Sequence, residues 1–400
     1  MDIKKLNIAC IFDGNLDVGG GFQTQLRSLI ELKKIETANF IIFVSKKENQ
    51  EILKNFGFNV VCLKSKFLDK VIRFILRKEI SLIFTKKFKL MTKFEKHLQK
   101  YNIDLVYFMS PNSLALDLVN HNYIFTVWDL CHRDFCEFPE VNFYREFELR
   151  ELVYTKALKK ALAVISDSNI GKQNIIKRYG VDENRVYVAH FFPSVNVIVE
   201  GKENKIDIKK KYGIDSDYIY YPAQFWSHKN HVYIIDALYL LKKDGLRINA
   251  IFSGSDKGNL DYVLNYARKF GVHELVKYIG FAPNEEIYYL YKQALALVMP
   301  TYFGPTNIPP LEAFAIGAPV IYSDLPGLRD QVGDAALLCD LKNPESLASH
   351  IKLLYYNKEK RDELVKKGYE KLKELEKNSI VDVLKRIIDD YSVKLKCWKH

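Results

Sequence analysis

At 400 residues the chain is longer than one ordinary hydrophobic core, and its 48% hydrophobic and 27% charged residues are typical of folded globular proteins. No apolar run reaches the roughly 18 residues that a membrane-spanning helix needs, so the composition excludes that class. The length predicts two domains, and the formal net charge of +11 raises the question of where the excess of basic residues lies.

The chain opens with an apolar segment, Leu6–Phe12, directly after a short charged start. The segment is too short to cross a membrane, and no small-residue cleavage site follows it. We therefore interpret it as a first β-strand rather than a signal peptide.

Further strand patterns alternate with helical patterns along the first half of the chain. The predicted strands after the first are Phe40–Ser45, Phe58–Leu63, Asp104–Phe108, Tyr123–Val127, Leu162–Ser166 and Val186–Ala189. Such alternation is typical of a parallel sheet that is covered by helices on both faces. The six cysteines are scattered without a CxxC pair, which favours free thiols in a reducing cytoplasm.

The pattern restarts after Pro193–Glu203, a stretch without periodicity that we interpret as a linker. The strands predicted beyond it are Tyr218–Tyr221, Asn249–Ser253, Val276–Gly280, Ala296–Met299 and Pro319–Tyr322. The fold class is therefore α/β, with two Rossmann-like, doubly wound parallel-sheet domains at 1–192 and 193–378 that face a cleft. A final helix is predicted within 379–400, and its pattern leaves open whether it packs back on the N-terminal domain.

Two loops at strand ends carry glycines or prolines that suit an anionic ligand. Asp13–Gly21 includes Gly20 and Gly21, which allow close backbone approach before a helix, although a plain turn explains them equally well. Pro300–Gly317 leads from a strand through a proline pair into a helix, whose N-terminus suits a diphosphate. Glu312 on this first turn either accepts hydrogen bonds from sugar or ribose hydroxyls or simply stabilises the helix dipole.

Lys229 lies in a third loop, Pro222–His231, after the first strand of the second half. A lysine at a strand–loop–helix junction can reach phosphate oxygens as a mobile point charge. The alternative is an ordinary solvated lysine, which the local pattern does not exclude.

Several blocks in order resemble one enzyme family. They are PAQFWSHKNH from Pro222, IGF from Ile279, PTYFGPTNIPPLEAFAIGAPVIYSD from Pro300 and GDAALL from Gly333. Their order and spacing over roughly residues 215–345 resemble family 4 of the retaining glycosyltransferases, which has the GT-B architecture. The first half is similar more loosely, through the Gly-rich loop and TVWDLCHRDFCEFPE from Thr126.

The resemblance implies a nucleotide-diphosphate-sugar donor that is held mainly by the C-terminal domain. Lys229 matches a diphosphate-binding lysine, and Glu312 matches the second glutamate of the EX7E motif, which contacts ribose in the family. The other implied donor-site residues are Gly20, Gly21, Gln224, Gly280, Phe281, Thr306, Asn307, Ile308 and Leu311.

The chain departs from the family pattern at three positions. Gly304 stands where the first EX7E glutamate is expected, and Gln224 stands where an arginine often precedes the lysine. Trp128 replaces the histidine of the acceptor motif, which leaves Asp129 and His132 as candidates for positioning the acceptor. These departures remove one fixed cation and one carboxylate from the implied site.

Stabilising the departing diphosphate requires preorganised positive groups, which Lys229, the glycine amides and the helix start near Leu311 supply. These groups need no metal, so we predict no metal and no cofactor beyond the donor substrate. With Asp129, His132, Lys229 and Glu312 as catalytic candidates, the resemblance implies transfer with retention of configuration.

The basic excess is concentrated between Lys64 and Lys100. This stretch contains twelve basic residues, only three acidic residues and many apolar side chains. This pattern predicts contact with an anionic membrane surface, and an amphipathic core helix with a basic face is the alternative. No nucleic-acid motif accompanies the charge. We therefore expect a cytoplasmic enzyme, peripheral on the inner face of the membrane.

The sequence thus predicts a glycosyltransferase acting on a glycan or lipid-linked glycan in surface polysaccharide biosynthesis. Two alternatives stay open: another GT-B enzyme, such as an epimerase or a phosphorylase, and a non-catalytic nucleotide-sugar binder. A phosphorylase would need phosphate, and a binder would never turn the nucleotide sugar over.

Overall fold

The computed structural model describes residues 5–13, 19–63, 72–73, 87, 90–194, 206–304 and 306–398. Contacts within the chain divide it into two compact units. The first unit consists of 1–130, 145–190 and 378–400, and the second consists of 131–144 and 191–377. The segment Cys131–Tyr144 therefore belongs with the second unit, although the predicted range 1–192 assigned it to the first.

The first unit is built on a seven-stranded parallel sheet with the order β3-β2-β1-β4-β5-β6-β7. Its strands are Leu6–Phe12 (β1), Ala38–Val44 (β2), Asn59–Cys62 (β3), Leu105–Phe108 (β4), Tyr123–Val127 (β5), Ala163–Ser166 (β6) and Val186–Val188 (β7). The inner strands β4, β5 and β6 are buried at every position. Runs of consecutive apolar residues form such strands because helices cover both faces of a parallel sheet.

Helices on the two faces supply the rest of this core. The longer ones are Gly19–Leu32, Lys47–Asn55, Lys93–Lys100, Glu146–Lys160, Asn169–Tyr179 and Ile380–Leu395. The last of these packs against Gly19–Leu32, so the C-terminal helix belongs to the first unit. The Tyr391 hydroxyl on it donates to the Asp104 carbonyl oxygen at 3.2 Å and accepts from Asn122 Nδ2 at 3.2 Å.

The second unit has a six-stranded parallel sheet with the order β10-β9-β8-β11-β12-β13. Its strands are Tyr218–Pro222 (β8), Asn249–Ser253 (β9), Val276–Tyr278 (β10), Ala296–Met299 (β11), Val320–Ser323 (β12) and Leu337–Cys339 (β13). The helices around it are Ile208–Tyr212, His231–Lys243, Leu260–Lys269, Asn284–Lys292, Ile308–Ile316, Pro326–Val332, Pro344–Tyr356 and Lys358–Leu375. Two short helices, Cys131–Asp134 and Pro139–Asn142, join this unit from the first half of the chain.

The two sheets confirm the predicted fold class of two doubly wound parallel-sheet domains. Strand β13 was missed because it has only three residues and two of them are partly exposed. Most of the predicted linker Pro193–Glu203 lies outside the described residues, which end at 194 and resume at 206.

Candidate functional site

Two predicted donor residues, Lys229 and Asn307, come together where the strand order of the second sheet reverses. Strand β8 is the first strand of this unit in the chain, and it pairs with β9 on one side and with β11 on the other. Ligands of open parallel sheets bind at the carboxyl ends of the strands at such a switch point. Lys229 lies in the loop after β8, and the helix Ile308–Ile316 follows the loop after β11. Both loops therefore begin at the carboxyl ends of neighbouring strands at the switch point.

Lys229 lies at the end of a single 3-10 turn, Ser227–Lys229, before the helix His231–Lys243. Its Nζ donates to Asn307 Oδ1 at 3.1 Å, and its carbonyl oxygen accepts from the Tyr221 hydroxyl at 2.8 Å. The structure therefore brings the predicted lysine to the start of the predicted helix.

Asn307 precedes the helix Ile308–Ile316 and is held rigidly by its neighbours. Its backbone N–H donates to Gln331 Oε1 at 3.0 Å, and its Nδ2 donates to the Tyr322 hydroxyl at 2.6 Å. Gln331 Nε2 donates in return to the Asn307 carbonyl oxygen at 2.6 Å. Fixed in this way, the Asn307 side chain can orient the ammonium group of Lys229.

The two prolines of this helix change the expected anion site. Pro309 and Pro310 have no N–H, and the Leu311 N–H lies where the helix bonds it to the carbonyl oxygen of the N-cap residue Asn307, so in the first turn only the Ile308 amide remains as a donor. The Leu311 side chain is buried in the core, and the predicted donor contact of Leu311 stays a prediction. The positive end of the helix dipole is unchanged, and the Lys229 ammonium becomes the main cation of the site.

Glu312 is bonded inside the second unit. The Ser194 hydroxyl donates to one of its oxygens, and the Tyr291 hydroxyl donates to the other at 2.5 Å. Burial raises the pKa of Glu312, and these hydrogen bonds only partly oppose the effect. Glu312 is the fifth residue of the helix, so it lies just beyond the first turn in which it was predicted. Both of its predicted roles stay predictions.

Gly304 occupies the position eight residues before Glu312, where the family pattern has its first glutamate. Its φ of +103° lies in the left-handed region, and a Cβ there would come within 3.2 Å of the Asn307 side-chain amide. Any larger side chain would strain the backbone and displace the group that orients Lys229.

The remaining predicted donor residues lie on neighbouring loops of the same unit. Gln224 Oε1 accepts from Trp226 Nε1 at 2.9 Å, Gly280 has a φ of +70°, and the Phe281 ring is 59% exposed. Sequence reasoning missed Gly254, where a Cβ would lie 2.4 Å from the Ala223 carbonyl oxygen. A glycine directly after strand β9 was the signal for this close approach.

The predicted site residues in the first unit are Gly20, Gly21 and Asp129. Gly20 and Gly21 are in the first turn of Gly19–Leu32, and a Cβ on Gly21 would come within 3.1 Å of the Trp128 ring. Asp129 pairs with Arg150 at 2.9 Å, whereas His132 is fully buried and belongs to the second unit. Their roles at an acceptor stay predictions.

Sequence reasoning also missed a carboxylate beside Lys229. The Glu140 Oε1 atom accepts from the His228 backbone N–H at 2.8 Å and also bonds the His228 ring. Burial raises the pKa of Glu140, but the hydrogen bonds from His228 outweigh it, so the pKa is lowered overall. No spacing rule predicts a pair whose members are 88 positions apart.

Most of the basic segment 64–100 lies outside the described residues. In its described part, the helix Lys93–Lys100 buries Phe94 and Leu98 in the first unit's core, and Arg73 pairs with the buried Asp117 at 2.9 Å. No helix among the described residues is long and apolar enough to span a membrane. Membrane contact by this segment stays a prediction.

Comparison with known proteins matches the second unit to a family of enzymes. Residues 204–371 match the model of the family described as glycosyl transferases group 1. The O-antigen chain mannosyltransferase B of Escherichia coli is 34% identical over 125 residues, which are 31% of this chain and 32% of that protein. The O-antigen chain mannosyltransferase RfbU of Salmonella typhimurium is 29% identical over 200 residues, 49% of this chain and 52% of that one. These alignments thus span about a third to a half of the curated relatives.

Among solved structures, the Anabaena protein HepE in complex with UDP superposes with a TM-score of 0.71 at 15% identity, covering 98% of this chain and 100% of that one. This chain has the GT-B fold. The family match extends from before β8 into the helix Lys358–Leu375, so within the GT-B fold it includes Lys229, Asn307 and Glu312.

Proposed function

We propose that this GT-B protein is a retaining, family 4 glycosyltransferase that uses a nucleotide-diphosphate-sugar donor. The observation that carries the proposal is the bond from Lys229 Nζ to Asn307 Oδ1 at the switch point of the second sheet. The O-antigen mannosyltransferases among its relatives support an acceptor that is a glycan or a lipid-linked glycan of a surface polysaccharide.

In the proposed reaction the bond from the anomeric carbon to the diphosphate breaks through an oxocarbenium-like state, and an acceptor hydroxyl attacks that carbon from the same face, which retains its configuration. The proton of the hydroxyl passes to an oxygen of the leaving diphosphate. Negative charge then develops on the leaving diphosphate, and a cation fixed in advance stabilises it. Lys229 supplies this cation, the helix start adds its dipole, and no resident metal is required. Asp129 and His132 are the proposed acceptor-positioning residues.

The first experiment is a thermal-shift screen with UDP-, GDP-, ADP- and dTDP-sugars, followed by a transfer assay in the presence of EDTA. Lys229→Ala should lower turnover about 100-fold because the leaving charge loses its cation. Glu312→Ala should weaken donor binding by about tenfold or more, the size expected when a charged hydrogen-bond acceptor is lost.

The matched control is Lys269→Ala, an exposed lysine on another helix of the same unit, which should keep the wild-type rate. A folded Lys229→Ala protein with the wild-type rate would remove Lys229 from the site. Inactivation of the wild type by EDTA would contradict the metal-independent mechanism.

One observation favours a second candidate function, a non-catalytic nucleotide-sugar binder. The left-handed backbone at Gly304 is strained for any residue with a side chain, and the carboxylate that the family pattern has there is absent. Under this alternative the nucleotide sugars stabilise the wild type, yet neither transfer nor hydrolysis is detected with any acceptor.

A further inference from the structure

The segment Cys131–Tyr144 belongs to the second unit, whereas the residues on both sides of it belong to the first, and we name this segment the arm. Tyr144, its last residue, and Arg145, which follows it, have φ of 55° and 66°. Left-handed backbone is uncommon for residues other than glycine and often marks a functional constraint.

Aromatic side chains attach the arm to the loop that precedes the helix Ile308–Ile316. The Phe135 ring stacks on Phe303 with centroids 5.8 Å apart, and the Phe138 ring contacts Phe303 at 5.6 Å and Tyr302 at 5.4 Å. The Phe303 ring in turn stacks on the His228 ring, with the ring centroids 3.7 Å apart and an angle of 14° between the ring planes. The arm therefore contacts both loops that carry the donor-site residues.

Glu140 connects the arm to the turn that carries Lys229. One carboxylate oxygen bonds both the backbone N–H and the ring of His228, and the side chains of His228 and Glu140 are only 9% and 7% exposed. A hydrogen bond to a charged acceptor is stronger than a neutral one, and it is weakly screened when buried. Glu140 thus holds the turn from the side of the arm.

Backbone hydrogen bonds also hold the turn Ser227–Lys229. The His228 carbonyl oxygen accepts from the Tyr302 N–H at 2.9 Å, and the Lys229 N–H donates to the Trp226 carbonyl oxygen at 3.1 Å. The acceptor of the His228 N–H is Glu140. Without Glu140, the residue before Lys229 loses the acceptor of both its backbone N–H and its ring.

We propose that Glu140 is a positioning residue, through which the arm fixes the Lys229 turn so that the lysine ammonium stays on Asn307 and faces a diphosphate. This inference rests on the proposed function. It assigns the arm a part in donor binding, whereas the role predicted for His132 in this segment is at the acceptor.

The test compares the affinity for UDP and GDP with that for UMP and GMP by calorimetric titration. Glu140→Ala should weaken binding of the preferred diphosphate by about tenfold or more, as loss of a contact supporting a ligand group does. Binding of its monophosphate should weaken less. In a Lys229→Ala background the same change should add nothing, because Glu140 acts through Lys229.

Two further variants make the result specific. Glu140→Gln keeps an acceptor oxygen and should recover most of the lost affinity, whereas a loss equal to that of Glu140→Ala would exclude the hydrogen bonds as the link. Glu137→Ala removes an exposed carboxylate from the same arm and should bind like the wild type. Equal affinities of Glu140→Ala and Glu137→Ala would overturn the proposal.

A ligand-free measurement separates this inference from the proposed function. A thermal-unfolding cycle of Glu140→Ala and His228→Ala should be non-additive, since the two residues are in contact. If the wild type binds no nucleotide, the proposed function fails, and the positioning role fails with it even if this cycle shows coupling. If the wild type binds but Glu140→Ala binds equally well, only the positioning role fails.

Discussion

Glu312, a proposed donor-site residue, lies in an unfavourable environment for its charge. Burial raises its pKa above the ordinary value of 4.5, and the hydroxyls of Ser194 and Tyr291 only partly oppose this. An acid whose pKa is raised by folding binds its proton more tightly in the folded state. Its contribution to stability is therefore complete below pH 4.5 and is lost as the pH rises through the raised pKa.

Glu312→Gln should remove this pH dependence while it weakens donor binding. We expect the variant to gain stability relative to the wild type as the pH rises above 4.5, because the amide has no charge to bury. Thermal unfolding of both proteins across this pH range measures the difference. Glu285→Gln, an exposed neighbour in the same unit, should follow the wild-type curve, and a Glu312→Gln curve parallel to the wild type would contradict the expectation.

At the scale of elements, the helix Ile308–Ile316 of the proposed donor site packs against the helix Lys358–Leu375. Gly368 allows the close approach, since a Cβ there would lie 2.6 Å from Phe314 Cδ1. Gly368→Ala gains helix propensity of about 1 kcal/mol, but overpacking costs about 1–3 kcal/mol. We expect a net loss of up to about 2 kcal/mol in denaturant unfolding and weaker donor binding.

The exposed position Lys366 provides the control for this change. Lys366→Ala in the same helix adds a smaller gain in helix propensity without overpacking Phe314, so its stability should equal or slightly exceed that of the wild type. A Gly368→Ala protein as stable as Lys366→Ala would show that the two helices can separate without cost.

Elements with a strong local signal were predictable from the sequence. The strands Leu6–Phe12, Tyr123–Val127 and Ala296–Met299 have the predicted bounds because each is a continuous apolar run. The order of loops around the switch point followed from the alternation of strands and helices. The Glu140–His228 contact and the placement of the arm were not predictable, because they depend on how distant segments pack rather than on any local periodicity.

At the scale of the whole molecule, each unit has its own hydrophobic core, and Lys229, Asn307 and Glu312 all belong to the second. We therefore expect two calorimetric unfolding transitions, and a nucleotide sugar should raise the midpoint temperature of only one of them. At 100 times its dissociation constant the ligand should stabilise that unit by about 2.7 kcal/mol. Leu384, buried in the C-terminal helix, identifies the other transition. Leu384→Ala should lower the free energy of unfolding of the first unit by about 2–5 kcal/mol, the usual cost of truncating a buried leucine, and so shift that transition to lower temperature. If the ligand instead raised the transition that Leu384→Ala lowers, and left the other unchanged, the donor site would have to lie in the first unit.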